Sequence, residues 1–592
     1  MTHKIKIFSI IFLGFSTFAF SQIKEEKLIL DRKREPEVKK IEKKKTSVET
    51  IKNYPPKEKK IQDSLNLKYN ITDVPAVSDF KTSTIQGSDI SPTFSNDYQN
   101  NYFRLGMGNY GKILADANIS TVLESKMELG ADLHFLQTNG LKKEYAWDSN
   151  QNQGDIGVFL NNYGESGKFN INAEYSMNNY NYYGIYAFQP DADIDIKQKI
   201  NQIKVNGYYD FYSNNILNDA TVKSSFLSDN FDAKESEVSL GINLSKHALA
   251  ISDGITFNGD LGLGLESQST DFHILDKNTA SFFNGKVAPK ITFFKEQSYL
   301  MIGSDFSFLN AKNTSNLLAE QEKSSKIYWF PRAELQFAAA DEFKFYAGVD
   351  GGLNLNSYAD MLQENPYLLS DQIIKPTETK YHFYVGLRGD IDQSLKYDFS
   401  AGFGKANNIM FFRGNGIFDE SDIPNRLGYD FANTFSAVYD NGSISEVKGS
   451  VQYFPLENLV LSGELNFTKY DLENYKNIYN KPLLKAEIGA QYSMLEKKLN
   501  LGFKGIFMSD RTTNTFTDIT YLTDFPTGIV MEENTNEKVG GFADINLSAE
   551  YKVHKNFSIF ALGNNLLNSK YQTFNAYKVL GAQILGGVKI TF

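Results

Sequence analysis

Period-two alternation over the last fifty residues constrains this chain more than any other feature. Between positions 543 and 553 the odd residues are Ala543, Ile545, Leu547, Ala549, Tyr551 and Val553. The even ones are Asp544, Asn546, Ser548, Glu550 and Lys552. Successive strand side chains point to opposite faces, so this stretch has one apolar and one polar face. A tight turn follows at His554-Lys555-Asn556. The last strand then sets Ile584, Gly586, Val588, Ile590 and Phe592 on one face and ends on that aromatic. Such strands, joined alternately by tight turns and long loops, predict a transmembrane antiparallel β-barrel with apolar residues outward and polar residues inward.

The pattern recurs upstream. A first strand is expected near Tyr102–Gly108. In the third, Met127, Leu129, Ala131, Leu133 and Phe135 share one face, and Lys126, Glu128, Asp132 and His134 the other. Later runs do the same: Leu459, Leu461, Leu465 and Phe467; Leu484, Ala486, Ile488, Ala490 and Tyr492; Leu499, Leu501, Phe503 and Phe507. Short turns are expected at 123–126, 165–168, 294–297, 339–342, 392–396, 455–458, 495–498 and 554–556. Longer connections are expected near 138–151, 180–194, 266–280, 310–325, 358–378, 409–442, 471–480, 511–538 and 567–579. With short turns on the periplasmic side and both barrel ends there, the strand number is even. The count comes to about 22 if 427–442 belongs to a loop. That is the size class of plugged outer-membrane transporters. Tyr and Phe number 34 and 46 beside 43 glycines, which fits strands, turns and interfacial girdles.

The N-terminus is different material. Residues 1–21 read as a secretory signal peptide: Lys4 and Lys6, an apolar run from Ile7 to Phe20, and Ala19 and Ser21 before a cut ahead of Gln22. The run is too short to span a bilayer as a helix. Residues 22–98 are expected to form a disordered, charged periplasmic arm and linker. Residues 23–60 alone carry 14 Lys or Arg against 8 Asp or Glu, too charged and too poor in aromatics to bury a core. The barrel is assigned to 99–592, with the cell outer membrane as its location.

Other chemistry finds little support. There is no Cys, and the six His (His3, His134, His247, His273, His382, His554) lack metal-ligand spacing. Gly106, Gly108 and Gly111 have G-x-G-x-x-G spacing, but in a strand and hairpin turn rather than ahead of a helix. Asp191, Asp193 and Asp195 begin like a calcium loop, yet Ile196 stands where that loop needs Gly. Asp419, Glu420 and Asp422 read as solvated loop acids. No catalytic triad, metal or cofactor is indicated. The basic arm lacks the interleaved aromatics of a nucleic-acid site.

The C-terminal run NLSAEYKVHKNFSIFALGNNLLNSKYQTF resembles the barrel of TonB-dependent receptors of the Bacteroidota type. The stretch 352–368, GLNLNSYADMLQENPYL, is similar to a strand-to-loop passage of such barrels. The resemblance covers most of 99–592. It implies that Asn565, Leu566, Leu567, Asn568 and Tyr571 form the family's C-terminal signature. It also implies that Phe592 is the signal read by the barrel-assembly machinery. Ligand transport across the outer membrane follows as the expected function. The family carries a plug of well over a hundred residues ahead of the first strand. Here 22–98 offers too little, with one glycine, Gly87, and no convincing TonB box. The expectation is a plugless barrel occluded by its own side chains and loops, or filled by a partner. The alternative is an accessory subunit of a larger outer-membrane complex. Expected partners are outer-membrane lipid, the assembly machinery, and outer-membrane or periplasmic proteins.

Overall fold

The computed structural model describes residues 101–592, apart from 124–125, 142–146, 188–193, 213–215, 253, 276, 316–319, 341, 418–426 and 523–527. The signal peptide and the arm (1–98), Asp191 and Asp193, and Asp419, Glu420 and Asp422 lie outside the described residues.

The chain winds as one antiparallel meander. Its first half is β1 (Tyr102–Gly108), β2 (Ile113–Leu123), β3 (Met127–Thr138), β4 (Gln151–Tyr163), β5 (Gly167–Asn181), β6 (Lys197–Phe211), β7 (Leu217–Asp229), β8 (Lys234–Ser252), β9 (Ile255–Phe272), β10 (Asn278–Lys295), β11 (Ser298–Ser315) and β12 (Glu320–Ala340). β13 (Phe343–Asn354) leads into a short helix, α1 (Tyr358–Glu364). Next come β14 (Thr377–Ile391), β15 (Leu395–Gly414), β16 (Phe435–Leu456), β17 (Leu459–Leu472), β18 (Leu484–Met494) and β19 (Leu499–Met508). β20 (Arg511–Leu522) and β21 (Gly528–Val539) pair as a separate hairpin. β22 (Phe542–His554) and β23 (Phe557–Asn564) return to the main sheet. β24 (Gln572–Phe574) and β25 (Tyr577–Lys578) make a small second hairpin, and β26 (Gln583–Thr591) ends the chain.

The main sheet has 22 strands. It closes where β1 pairs with β26, from Tyr102 opposite Thr591 to Gly108 opposite Leu585. The Phe592 amide donates to the Asn101 carbonyl at 3.0 Å and extends the seam by one residue. Closure leaves no strand edge in lipid, the only way a sheet can cross a bilayer with its backbone paired. The alternation falls as expected. Ile584 (62% exposed), Ile590 (45%) and Leu547 (45%) face out, whereas Asp544, Asn546, Ser548 and Glu550 are buried on the lumen side. Among the described residues no helix is long and apolar enough to cross a membrane.

The connections depart from expectation in two ways. Several loops are shorter than anticipated, because the strands continue past the membrane. The 266–280 connection is only 273–277, β11 reaches Ser315, and β16 begins at Phe435 inside the stretch assigned to a loop. Backbone pairing does not depend on what the side chains face, so the ladder persists in water once both faces turn polar. Second, the outer rim also has tight turns, the 3-10 turn Asn109–Gly111 and the connection 230–233. On the rim that holds both chain ends, β6 is joined to β7 across 212–216 and β8 to β9 across 253–254.

Candidate functional site

Neighbours in the sheet follow chain order, so distance around the rim can be read from strand rank. The loop 182–196 joins β5 to β6, and the loop 415–434 joins β15 to β16. Their roots are ten strands apart in a ring of 22, nearly opposite. They nevertheless touch: Asn433 Nδ2 donates to the Tyr182 carbonyl at 2.7 Å. Loops from the outer rim therefore reach across the mouth.

The loop between β13 and β14 is the centre of this roof. Tyr182 Oη donates to the Leu368 carbonyl at 2.7 Å, and Tyr180 Oη to that of Pro366. Gln198 reaches Ser370 Oγ at 2.8 Å, and Asn278 Nδ2 reaches Asp371 Oδ1 at 2.8 Å. The Ala437 amide donates to Gln372 Oε1 at 2.7 Å. From the last loop, Tyr577 Oη donates to the Asn433 carbonyl and Tyr183 Oη to that of Lys578, the latter at 2.9 Å. The β20–β21 hairpin leans in as well. Arg511 donates to the carbonyls of Gln572 (2.6 Å) and Thr573, and the Phe516 amide to Tyr186 Oη at 2.9 Å. Burial lowers the Arg511 guanidinium to about 10, which still leaves it charged at neutral pH.

Between these bonds lies a buried aromatic core. Tyr182, Tyr358, Tyr577, Phe272, Met361 and Leu368 are all fully buried. Tyr367 stacks on Tyr577 with ring centroids 3.4 Å apart and 14° between planes. Each such side chain contributes roughly 1.5–3 kcal/mol on burial. Burial pushes the Tyr367 phenol up to about 12, so it stays a neutral hydroxyl.

α1 is fixed to the wall through its amino end. Ser357 Oγ accepts from the Asp360 amide at 3.1 Å, as an N-cap. The Tyr358 and Ala359 amides donate to the Glu235 carboxylate, from the start of β8, at 2.7 and 2.8 Å. Helix donors that would be orphaned in a buried first turn are thus satisfied. Near the other end of the helix, Glu364 pairs with Lys481 of the β17–β18 loop, both side chains nearly buried. Burial alone would lower the Lys481 ammonium, but Glu364 and Tyr470 more than offset it and hold it above the usual lysine range.

Beneath the roof is a chamber of about 490 Å³. Its walls come from the outer halves of β3–β5 and of β18, β19, β22 and β23, with Lys112 just ahead of β2, and its ceiling includes Pro366 and Tyr367. The lumen wall is laced with ion pairs, and one of them, at His134, borders the chamber. Arg104 and His134 flank Asp116, Arg332 meets Asp305 at 2.6 Å, and His382 lies between Asp350 and Glu446 at 3.4 and 3.1 Å. Inward positions are polar because they meet water or each other. Among the described residues no group of His, Asp or Glu is arranged to hold a metal ion.

The sequence-predicted residues at the C-terminus form a turn beside the chamber. Asn565 and Asn568 adopt left-handed φ of +47° and +53°, which asparagine tolerates better than most residues. Asn565 Nδ2 donates to the carbonyls of Ser569 and Leu580 at 2.8 and 2.9 Å. Asn568 Oδ1 accepts from the Ala582 amide at 3.0 Å, and a Cβ on Gly581 would come within 2.5 Å of it. Leu566 packs against Gly563, while Leu567 is 51% exposed. Tyr571 stacks on Phe542 at 3.7 Å, with its hydroxyl 3.3 Å from Asp544 Oδ2. Asn565 and Tyr571 also line the chamber. Phe592 stands exposed at the seam, on the outward face. Gly106 and Gly108 lie in β1, and Gly111 closes the turn after it with no helix following, so no phosphate cradle exists there.

Sequence reasoning missed the roof residues Glu235, Tyr358, Asn433 and Tyr577. One signal was available: 180–186 reads YNYYGIY, a tyrosine density out of place in a solvated loop.

No protein-family model matches the chain, and no curated protein matches it in sequence. Solved structures do resemble it. The ferric-catecholate import receptor Fiu from E. coli K12 superposes with a TM-score of 0.60 at 10% identity, over 83% of this chain and 82% of that one. The FrpB iron transporter from Neisseria meningitidis gives 0.59 at 10% identity over 83% and 81%. The copper transporter OprC gives 0.56 at 14% over 83% and 79%. At such identities the likeness shows the fold alone: a closed 22-stranded antiparallel barrel of the kind these import receptors and transporters have, an architecture found in outer membranes.

Proposed function

We propose that the chain is a receptor-like outer-membrane transporter whose outer mouth is gated by its own loops. A ligand arriving from outside displaces the roof, enters the chamber and continues through the polar lumen. The observation that carries this reading is the meeting of loops from opposite sides of the rim in one apolar core above a lined chamber. The neighbours in fold, an import receptor for ferric catecholates and transporters of iron and copper, support passage of a ligand as the general role. In this reading residues 22–98 form a periplasmic arm rather than a plug, and the roof provides the occlusion. Such an arm could not be pulled as a plug is, so opening would be driven by ligand binding to the roof.

Planar-bilayer conductance tests it. The wild-type barrel is expected to be nearly silent. Replacing 357–375 by a short Gly-Ser linker should open steady channels. Unchanged conductance in a variant that still runs as a folded barrel on a gel would refute gating. A second reading, an accessory barrel in a larger assembly, gains support from the complete burial of the roof core, which suits permanent closure. Stoichiometric partners after extraction in mild detergent, together with a ligand-insensitive roof, would favour it.

A further inference from the structure

We propose that the outward face of β9–β12 binds the phosphate of a lipid headgroup in the outer leaflet, through Lys312 and Lys323. The inference is independent of how the roof works. In the register of the sheet Lys312 lies directly opposite Lys323, and both are exposed. Among the described residues neither makes an ion pair or a hydrogen bond. Like charges directly opposite on neighbouring strands repel and weaken the pairing. An anion seated between them turns that repulsion into attraction.

The face on which they stand continues the apolar belt. Along the β11–β12 ladder the outward pairs run Phe306–Trp329, Phe308–Ile327, Asn310–Ser325 and Lys312–Lys323. Trp329 is 60% exposed and Ile327 68%. The alternate residues Ala311 and Tyr328 pack against the roof core, which fixes the two faces of the ribbon. Apolar pairs thus give way to one neutral polar pair and then to the lysines, the order in which a leaflet presents acyl chain, interface and phosphate. Lys323 is four residues beyond Ile327, roughly 13 Å along the strand. At the usual barrel tilt that is about 10 Å along the membrane normal. A lysine stem can lean back over apolar surface and hold its ammonium at phosphate level. The same rung continues across β10 and β9. Ser281 is opposite Lys312 and Ser269 opposite Ser281, their hydroxyls 3.1 Å apart. The row therefore offers two ammonium groups and two hydroxyls, all able to donate to phosphate oxygens. Asp271, the carboxylate on this face, stands one rung further out, opposite Lys234. Glu320 and Glu322 fall at positions of the other parity. Lysines that only shielded the free edge of β12 would need no second lysine across from them on β11.

The test uses the full-length protein in non-ionic detergent and native mass spectrometry with didecanoylphosphatidic acid, didecanoylglycerol and inorganic phosphate. The first phosphatidic acid is expected to bind at least tenfold tighter than the diacylglycerol of the same chains, and to weaken as salt rises. Combined Lys312→Gln and Lys323→Gln should weaken it at least tenfold, whereas combined Lys312→Arg and Lys323→Arg should largely keep it. Lys469→Gln is the control: this exposed lysine of β17 is already paired with Asp471 at 3.2 Å, and its loss should leave binding unchanged. The substituted residues are exposed, and the mobility of the unheated protein on a gel shows that each barrel is intact. Equal weakening by Lys469→Gln would mean attraction to bulk charge and would overturn the proposal. Equal binding of didecanoylglycerol would do the same. So would displacement of the lipid by equimolar inorganic phosphate, which would mark a site for a free anion rather than a headgroup.

Discussion

Consider the replacement of Glu235 by Ala. This carboxylate is 4% exposed and accepts three hydrogen bonds, from the amides of Tyr358 and Ala359 and from Thr270 Oγ1, at 2.7, 2.8 and 2.8 Å. Truncation removes what amounts to a second cap on α1. Losing a cap costs about 0.5–2 kcal/mol. Leaving two amide donors buried without partners adds about 1–3 kcal/mol each, less whatever entering water recovers. The roof loop should therefore be destabilised by roughly 2–5 kcal/mol relative to its docked state. At about 1.4 kcal/mol per factor of ten, its undocked population rises by about 30-fold to a few thousandfold. Amide hydrogen exchange reads this directly. The Met361 and Asn365 amides, bonded to the Ser357 and Met361 carbonyls at 3.0 and 2.8 Å, should lose protection by that factor. Amides in the β9–β10 ladder should hold theirs, because the barrel does not depend on the roof. If the helix amides exchange less than tenfold faster, Glu235 is not what holds the loop. If the strand amides accelerate in step, the roof is not a separable unit, and the gating argument goes with it.

Two further substitutions follow from the same geometry. Lys481→Met strands the buried Glu364 carboxylate and should cost about 3–5 kcal/mol of roof stability. Protease nicking near 355–376 should expose that loss, and adding Glu364→Leu should reverse most of it; persistence of the defect would refute the ion-pair account. Phe399→Lys puts a charge on the outward face, where Phe399 is 49% exposed, and should cost about 2–4 kcal/mol in lipid. Ser400→Lys, one residue on and facing the lumen, should cost far less. Unfolding in liposomes compares the two, and equal losses would contradict the assigned faces.

The extent to which the site was legible follows from how far each signal reaches along the chain. A strand records its two environments every second residue, so Ile545, Leu547 and Ala549 against Asp544, Asn546 and Ser548 declare their faces locally. The asparagines of the 565–568 turn were visible as a motif, and their left-handed backbone explains why asparagine stands there. Loops have no such period. Nothing in the residues around Glu235 marks it out. Its role needs Tyr358, 123 residues away, and the same holds for Tyr577 and Asn433, 144 apart. Loop lengths were overestimated for a related reason: polarity marks where the bilayer stops, not where pairing stops.

By itself, then, the amino-acid order determined a closed membrane cylinder, its inside and outside, its approximate size and the shared rim of its two ends, because alternation and turn spacing act between near neighbours. Only the tertiary structure decided that the outer loops converge into a roof, that Glu235 and Lys481 anchor it, and that a chamber lies beneath it. Those facts depend on which sides of a ring of 22 strands face one another, and ring closure brings together residues that no local pattern connects.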